Sequence, residues 1–325
     1  MKALVLGGTG FLGVATCKEL MRRGVETIAA SRTPAPYGTF TSHRAFDRKD
    51  EAQLSAVLGA TEPDVLVDLA AYQAADVEAV IRQFKGERYL FISTGTYPDD
   101  HGGTPAKEEA FVPMQGAVPS EELEYRDGKR WCETVLMRTP DFPWTIIRPP
   151  AVLGAADHTL RVAAYLQRVE DGGPLLVPAE TYQRQAGLAW VRDVGYLCAL
   201  ASDLRRPAAR RSYNVAFEGV SIEGFLRGLG RAMGREVVLV PVPYAELMEK
   251  APASMLYGPD PNRSAGYDLT RSRAELGFEP SELEDALAEI LAWYRGARPE
   301  HPGYASRPVE LEIAAAIRAA APPEG

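Results

Sequence analysis

Through the first two hundred residues, short apolar runs alternate with segments of helical period. Ala3–Leu6, Thr27–Ala30, His43–Phe46, Val65–Leu69, Tyr89–Ile92 and Thr145–Ile147 read as strands, and Leu12–Arg23, Glu51–Leu58, Ala75–Phe84 and Glu121–Arg138 as the helices between them. Most of the strand runs are continuously apolar, the pattern of a strand covered by helices on both faces. Repeated βαβ units of this kind predict an α/β fold with a doubly wound parallel sheet. After Pro149-Pro150 the regular alternation stops. A helix over Leu160–Asp171, a Gly172-Gly173-Pro174 break, a Pro-, Gly- and Ser-rich loop over 252–266, and helices over Glu282–Gly296 and Val309–Ala320 predict a smaller C-terminal lobe over 156–325, beside a first lobe over 1–155. Leu188–Val191 and Ser212–Val215 still read as strands, and are expected to return to the main sheet near 187–217.

Charge narrows the partners. With 36 Lys+Arg against 44 Asp+Glu in 325 residues, the net charge of −8 argues against a nucleic acid or anionic membrane held by bulk charge. No uncharged run approaches the roughly 18 apolar residues of a membrane-spanning helix. The apolar stretch at Lys2–Leu6 is too short for a signal-peptide core, so a cytoplasmic protein is expected. Cys17, Cys132 and Cys198 lie far apart in segments of helical period, without a CxxC pair or a His at ligand spacing. They read as small buried residues, with no metal site.

Candidate chemistry begins at Gly7-Gly8-Thr9-Gly10-Phe11-Leu12-Gly13, between the first strand and first helix. Glycines there permit a tight turn, close approach of a pyrophosphate and close helix-to-strand packing, while the helix N-terminus offers N–H groups. The first lobe is therefore expected to bind a dinucleotide. After the second strand an NAD-binding chain would carry a carboxylate for the ribose, yet the residues are Ala30-Ser31-Arg32-Thr33. A guanidinium at Arg32 suits a 2′-phosphate, which favours NADP(H). Asp47, after the third strand, is a candidate for the adenine contact. Tyr125 and Lys129 are four apart and share a helix face, between strands whose C-terminal ends should lie beside the cofactor.

At this point the chain resembles the extended short-chain dehydrogenases/reductases, the NAD(P)-dependent epimerases, dehydratases and reductases. The likeness is carried by Gly7-x-x-Gly10-x-x-Gly13, Leu69-Ala70-Ala71, Ser93-Thr94, Tyr125-x-x-x-Lys129, Arg148-Pro149, Val191-Arg192-Asp193-Val194, and Tyr267-Asp268 with Arg273-x-Glu275-Leu276-Gly277-Phe278-x-Pro280. Asp157-His158-Thr159-x-Arg161 with Gly172-Gly173 is similar to an atypical branch that includes chloroplast stem-loop RNA-binding proteins. The resemblance implies a Rossmann-type sheet with a substrate-binding C-terminal lobe. It also implies cofactor contacts at Gly7, Gly10, Phe11, Leu12, Gly13, Ser31, Arg32, Asp47, Leu69, Ala70, Ala71, Lys129 and Pro149. Tyr125 would move a proton, Lys129 would favour its phenolate and hold the nicotinamide ribose, and Thr94 would hydrogen-bond the substrate.

Some residues depart from the family pattern. Thr94 precedes Tyr97 by three residues where the family has four, so Ser93 or Thr96 are alternatives for the hydroxyl. Gly95 and the insert carrying His101-Gly102-Gly103 imply an unusual substrate mouth. Arg184 stands at an offset that does not match the arginine with which nucleotide-sugar members grip a diphosphate. His158 and Arg161 are candidates to line the substrate lobe, and Trp190 reads as core. The expected protein is an NADP(H)-preferring oxidoreductase or epimerase acting at a hydroxyl or carbonyl carbon of a sugar-nucleotide-like or other small substrate, with NAD(H) as the alternative cofactor. The competing readings are an RNA-binding or RNA-processing protein on the same scaffold and a cofactor-binding regulator. A homodimer formed through the Glu121–Arg138 helix, as in many relatives, is a further expectation.

Overall fold

The computed structural model describes residues 1–34, 38–95, 105–254 and 266–320. Strands β1 (Lys2–Leu6), β2 (Glu26–Ser31), β3 (Ser42–Ala45), β4 (Val65–Asp68), β5 (Arg88–Ile92) and β6 (Trp144–Arg148) alternate with helices α1 (Phe11–Arg22), α2 (Glu51–Thr61), α3 (Ala74–Gln83) and α4 (Tyr125–Met137). Beyond them come β7 (Ala151–Leu153), α5 (Arg161–Asp171), β8 (Leu175–Pro178), β9 (Leu188–Trp190), α6 (Val191–Ser202), β10 (Arg211–Asn214), α7 (Ile222–Met233) and β11 (Leu239–Val242). Helices α8 (Tyr244–Lys250), α9 (Thr270–Leu276), α10 (Leu283–Ala297) and α11 (Arg307–Ala320) complete the order.

Seven parallel strands form one sheet in the order β10-β6-β5-β4-β1-β2-β3. The strand order reverses beside β1, which opens a crevice at the C-terminal ends of β1 and β4, the position where such folds bind ligands. Continuous apolarity in β1 has a direct cause. Ala3 and Val5 enter one core layer and Leu4 and Leu6 the other, all fully buried. The first layer packs α1 and α6 on the sheet, so closely that a Cβ at Gly195 would meet the Ala15 backbone at 2.7 Å. The second layer packs α2, α3 and α4 on the other face.

Two expectations change. Ser212–Val215 does return to the sheet, as β10 beside β6, but the strand at 188–190 pairs with β7 in a separate two-stranded sheet. The helix expected over Glu121–Arg138 starts only at Tyr125. Glu121–Glu124 stays out of it because Gln73 exchanges two hydrogen bonds with the Leu123 backbone, at 2.9 and 3.1 Å. The outer side of α4 is covered by its own chain. Arg130 donates to the Val112 carbonyl and Arg138 to those of Met114 and Gly116, leaving only Tyr125 and Asp127 of the helix exposed.

The C-terminal elements are fastened by buried charge. Arg168 of α5 makes a two-pronged pair with Glu310 of α11, at 2.8 and 2.6 Å, and both side chains are essentially inaccessible. The three cysteines are buried thiols in α1, α4 and α6. Among the described residues no helix is long and apolar enough to cross a membrane.

Candidate active site

The β1–α1 turn is shaped by contacts that leave no room for side chains. Gly7 has φ +79°, a left-handed conformation that favours glycine. A Cβ on Gly8 would lie 2.8 Å from that of Ala29, and one on Gly13 would collide with the Gly7 and Gly8 backbone. Gly10 differs, because a Cβ there would come near nothing but the Gly7 carbonyl, at 3.4 Å. It is also the N-cap of α1 and supplies no side-chain cap, so the helix opens onto the crevice through backbone N–H groups.

The crevice has a volume of about 780 Å³, within the size range of cofactor sites. It runs from Ser31, Arg32 and Asp47 past the glycine turn to Thr94, Tyr125 and Lys129. Of the residues expected at a cofactor, all but Ala71 line it; Ala71 is buried behind and offers its carbonyl to Lys129. A dinucleotide fits this arrangement. The glycine cradle admits a backbone-hugging pyrophosphate, and Arg32 has no carboxylate partner among the described residues.

At the far end Tyr125 opens α4, and its phenol comes within the influence of the Thr94 hydroxyl, which also lines the crevice. Contrary to the expectation that Lys129 would favour the phenolate, partial burial raises the Tyr125 pKa above its ordinary 10, against the opposing pull of the Thr94 hydroxyl and the Arg161 charge. Thr94 is 4% exposed and Ser93 is buried beside it, while Thr96, Tyr97 and His101 lie outside the described residues.

Lys129 takes a position that helix spacing alone did not indicate. Its ammonium donates to the carbonyls of Ala71 and Ile92, both at 2.7 Å, and lies 4.5 and 4.8 Å from the ring centres of Tyr72 and Phe91. Burial lowers its pKa to about 8. The helix that carries both residues is anchored to β6 through the buried Glu133–Arg148 pair, at 2.6 Å. Gly128 is required where α4 crosses the Tyr72 carbonyl, since a Cβ would strike it.

Sequence reasoning missed several lining residues. Tyr72 stacks at 5.9 Å from Tyr125 and forms one wall; its place directly after Leu69-Ala70-Ala71 was the available signal. Arg48 extends from the Asp47 end to Asp68, at 2.9 Å, and also donates to the Asp76 carbonyl. Of the substrate-lobe candidates, His158 lies at the mouth with its side chain 82% exposed. Arg161 is held inward by Thr159 at 2.8 Å, which in turn donates to the buried Asp157 at 2.6 Å. Gly95 is small because the Tyr267 ring occupies the space its side chain would need, and the Tyr267 hydroxyl donates to the Gly95 carbonyl. Arg184 is exposed and outside the crevice, and Trp190 is buried core.

Residues 3–81 match the model of the NAD dependent epimerase/dehydratase family. The chain is 25% identical over 314 residues to the chloroplast stem-loop binding protein of 41 kDa b of Arabidopsis thaliana, covering 89% of this chain and 78% of that protein. It is 28% identical over 116 residues to 2′-dehydrokanamycin reductase of Streptomyces kanamyceticus, a match of 35% of this chain and 33% of that enzyme. In fold it is similar to the UDP-glucose 4-epimerase of Thermus thermophilus solved with NAD, with a TM-score of 0.68 and 22% identity over 91% of this chain and 100% of the other. The match across residues 3–81, together with the shared fold, makes this chain similar to the NAD-dependent epimerases/dehydratases in its nucleotide-binding segment and in its overall architecture.

Proposed function

We propose that the protein is an NADP(H)-preferring oxidoreductase that reduces a carbonyl, or oxidises a hydroxyl, on a small substrate. The observation that carries this reading is that Thr94, Tyr125 and Lys129 line one end of a crevice whose other end is the glycine turn and Arg32. When bound, the nicotinamide supplies or accepts the hydride. The chain's part is to orient the substrate oxygen and manage its proton. Thr94 and Tyr125 are placed to hydrogen-bond one substrate oxygen together. With its pKa raised, Tyr125 holds its proton at neutral pH, the state required of a donor to a carbonyl oxygen during reduction. Lys129 supplies positive charge behind the Tyr125 ring, 5.9 Å from its centre. The preference for NADP(H) rests on Ser31 and Arg32 in place of a carboxylate after β2.

Mass spectrometry of nucleotide released from denatured protein, followed by titration of the emptied protein with NADPH, NADP and NAD, tests this reading. Weakly held NADP(H), preferred over NAD, is expected. Tightly held NAD would overturn the preference and redirect the search to epimerisation or dehydration, and no dinucleotide affinity would overturn the enzyme reading altogether.

The name of the Arabidopsis relative keeps an RNA-binding reading in view. The short basic cluster Arg205-Arg206 with Arg210-Arg211 gives it little support, because its arginines have partners within the chain. Arg205 pairs with Asp203, while Arg206 and Arg210 donate to the carbonyls of Leu276 and Pro140. Absence of RNA binding at low salt is expected.

A further inference from the structure

We propose that His43 is a positioning residue for the 2′-phosphate of NADP(H), acting through the hydroxyl of Ser31. The inference rests on the NADP(H) preference proposed above and adds a residue that neither the glycine turn nor Arg32 would suggest.

The β2–β3 register pairs Ala29 with His43 and Ser31 with Ala45. Paired residues, and those two apart along a strand, share a sheet face, so His43 stands diagonally beside Ser31. Its Nε2 lies 2.9 Å from Ser31 Oγ. Ser31 Oγ is also 2.8 Å from the Thr33 carbonyl, and Thr9 Oγ1 is 2.8 Å from Ser31 Oγ and 2.9 Å from the same carbonyl. The proton arrangement that satisfies most of these contacts places the Ser31 proton on the Thr33 carbonyl. The Thr33 carbonyl can only accept, and each hydroxyl has a single proton. With the Ser31 proton directed to Thr33, the Ser31 oxygen becomes an acceptor and the imidazole must present Nε2–H to it.

Thr9, Ser31, Arg32 and Thr33 line the crevice, whereas His43 does not, so His43 acts from behind. The side chains of Thr9, Ser31 and Arg32 bring two hydroxyls and a guanidinium to this part of the crevice, and directly after β2 there is no carboxylate to accept from a ribose 2′-hydroxyl. This chemistry suits a phosphate, which takes only hydrogen-bond donors at neutral pH. The His43 Nε2–H fixes the Ser31 oxygen, so the Ser31 proton has only to turn from the Thr33 carbonyl to the phosphate. What this needs from residue 43 is an N–H at the end of a side chain of this length, which a glutamine also provides.

The test uses the full chain titrated calorimetrically with adenosine 2′,5′-bisphosphate and with AMP, and reads the ratio of the two affinities. Wild type is expected to prefer the bisphosphate. His43→Ala is expected to reduce that preference about fivefold, the value of one hydrogen bond to a charged network, with AMP affinity unchanged. His43→Gln is expected to keep the ratio within about twofold of wild type. An unchanged ratio in His43→Ala, or an equal loss in both variants, overturns the role of His43 while leaving the NADP(H) reading intact. A wild-type protein indifferent to the 2′-phosphate overturns that reading and this inference with it.

Discussion

Lys129 links the stability of the fold to the chemistry of the crevice. Its ammonium is 2% exposed, and burial lowers its pKa from the ordinary 10.5 to about 8, even though two carbonyls and two aromatic faces receive the charge. Below pH 8 both folded and unfolded chains carry the proton, and the fold bears the full cost of burying the charge. Between about 8 and 10.5 the unfolded chain keeps a proton that the folded chain has released, so this residue makes the fold more stable as pH rises. At 1.36 kcal/mol for each factor of ten in proton affinity, the gain from pH 7.5 to 10 is about 2.5 kcal/mol. Other groups titrate in the same window. The thiols of Cys17 and Cys198 are raised to about 12, and their contribution runs the other way. Comparison with Lys129→Met isolates the lysine, because the variant leaves the Ala71 and Ile92 carbonyls unpaired at every pH alike. Urea unfolding of both proteins at several pH values is the assay. The wild type should gain about 2.5 kcal/mol relative to the variant over the window. Parallel curves would refute the reasoning and mean that the carbonyls and rings hold the ammonium as firmly as water does.

Three further outcomes are expected. Tyr125→Phe should retain cofactor affinity and lower turnover about 100-fold or more, measured with the physiological substrate once it is found; an unaffected rate would remove Tyr125 from the chemistry. Gly95→Ala places a Cβ 2.6 Å from the Tyr267 hydroxyl and should cost about 1–3 kcal/mol in denaturant unfolding, with no change expected only if Tyr267 can move aside freely. Glu310→Ala strands the buried Arg168 guanidinium and should cost about 3–5 kcal/mol; a loss below about 1 kcal/mol would show that α11 contributes little to holding α5.

The sheet was readable because burial on both faces leaves an apolar imprint in every central strand, as in Ala3–Leu6 and Tyr89–Ile92. The glycine turn was readable because close backbone contact admits so few residue types. What the sequence withheld depends on meetings between distant segments. Glu121–Glu124 has a helical composition, but Gln73, fifty residues earlier, pairs with the Leu123 backbone where a helix would use it. Leu188–Trp190 has the composition of a strand, but nothing in it shows that the short β7 is its partner rather than the main sheet. The spacing of Tyr125 and Lys129 indicates a shared helix face without revealing that the Ala71 and Ile92 carbonyls take the ammonium. Nor does the chain order show that His43 reaches Ser31 across the β2–β3 register.

The seventh strand arrives late. β6 ends at Arg148, yet its neighbour β10 does not begin until Arg211, after the α5 and α6 segments have been made. At roughly 5–20 residues per second of synthesis, the outer side of β6 waits on the order of several seconds for its partner, with its backbone N–H and C=O groups unpaired along an apolar strand. During that interval a nascent chain exposes a ready template for pairing with a neighbour. Chains truncated before Arg211 are therefore expected to aggregate while the full-length chain stays dispersed, which makes the order of emergence from the ribosome part of what this topology must survive.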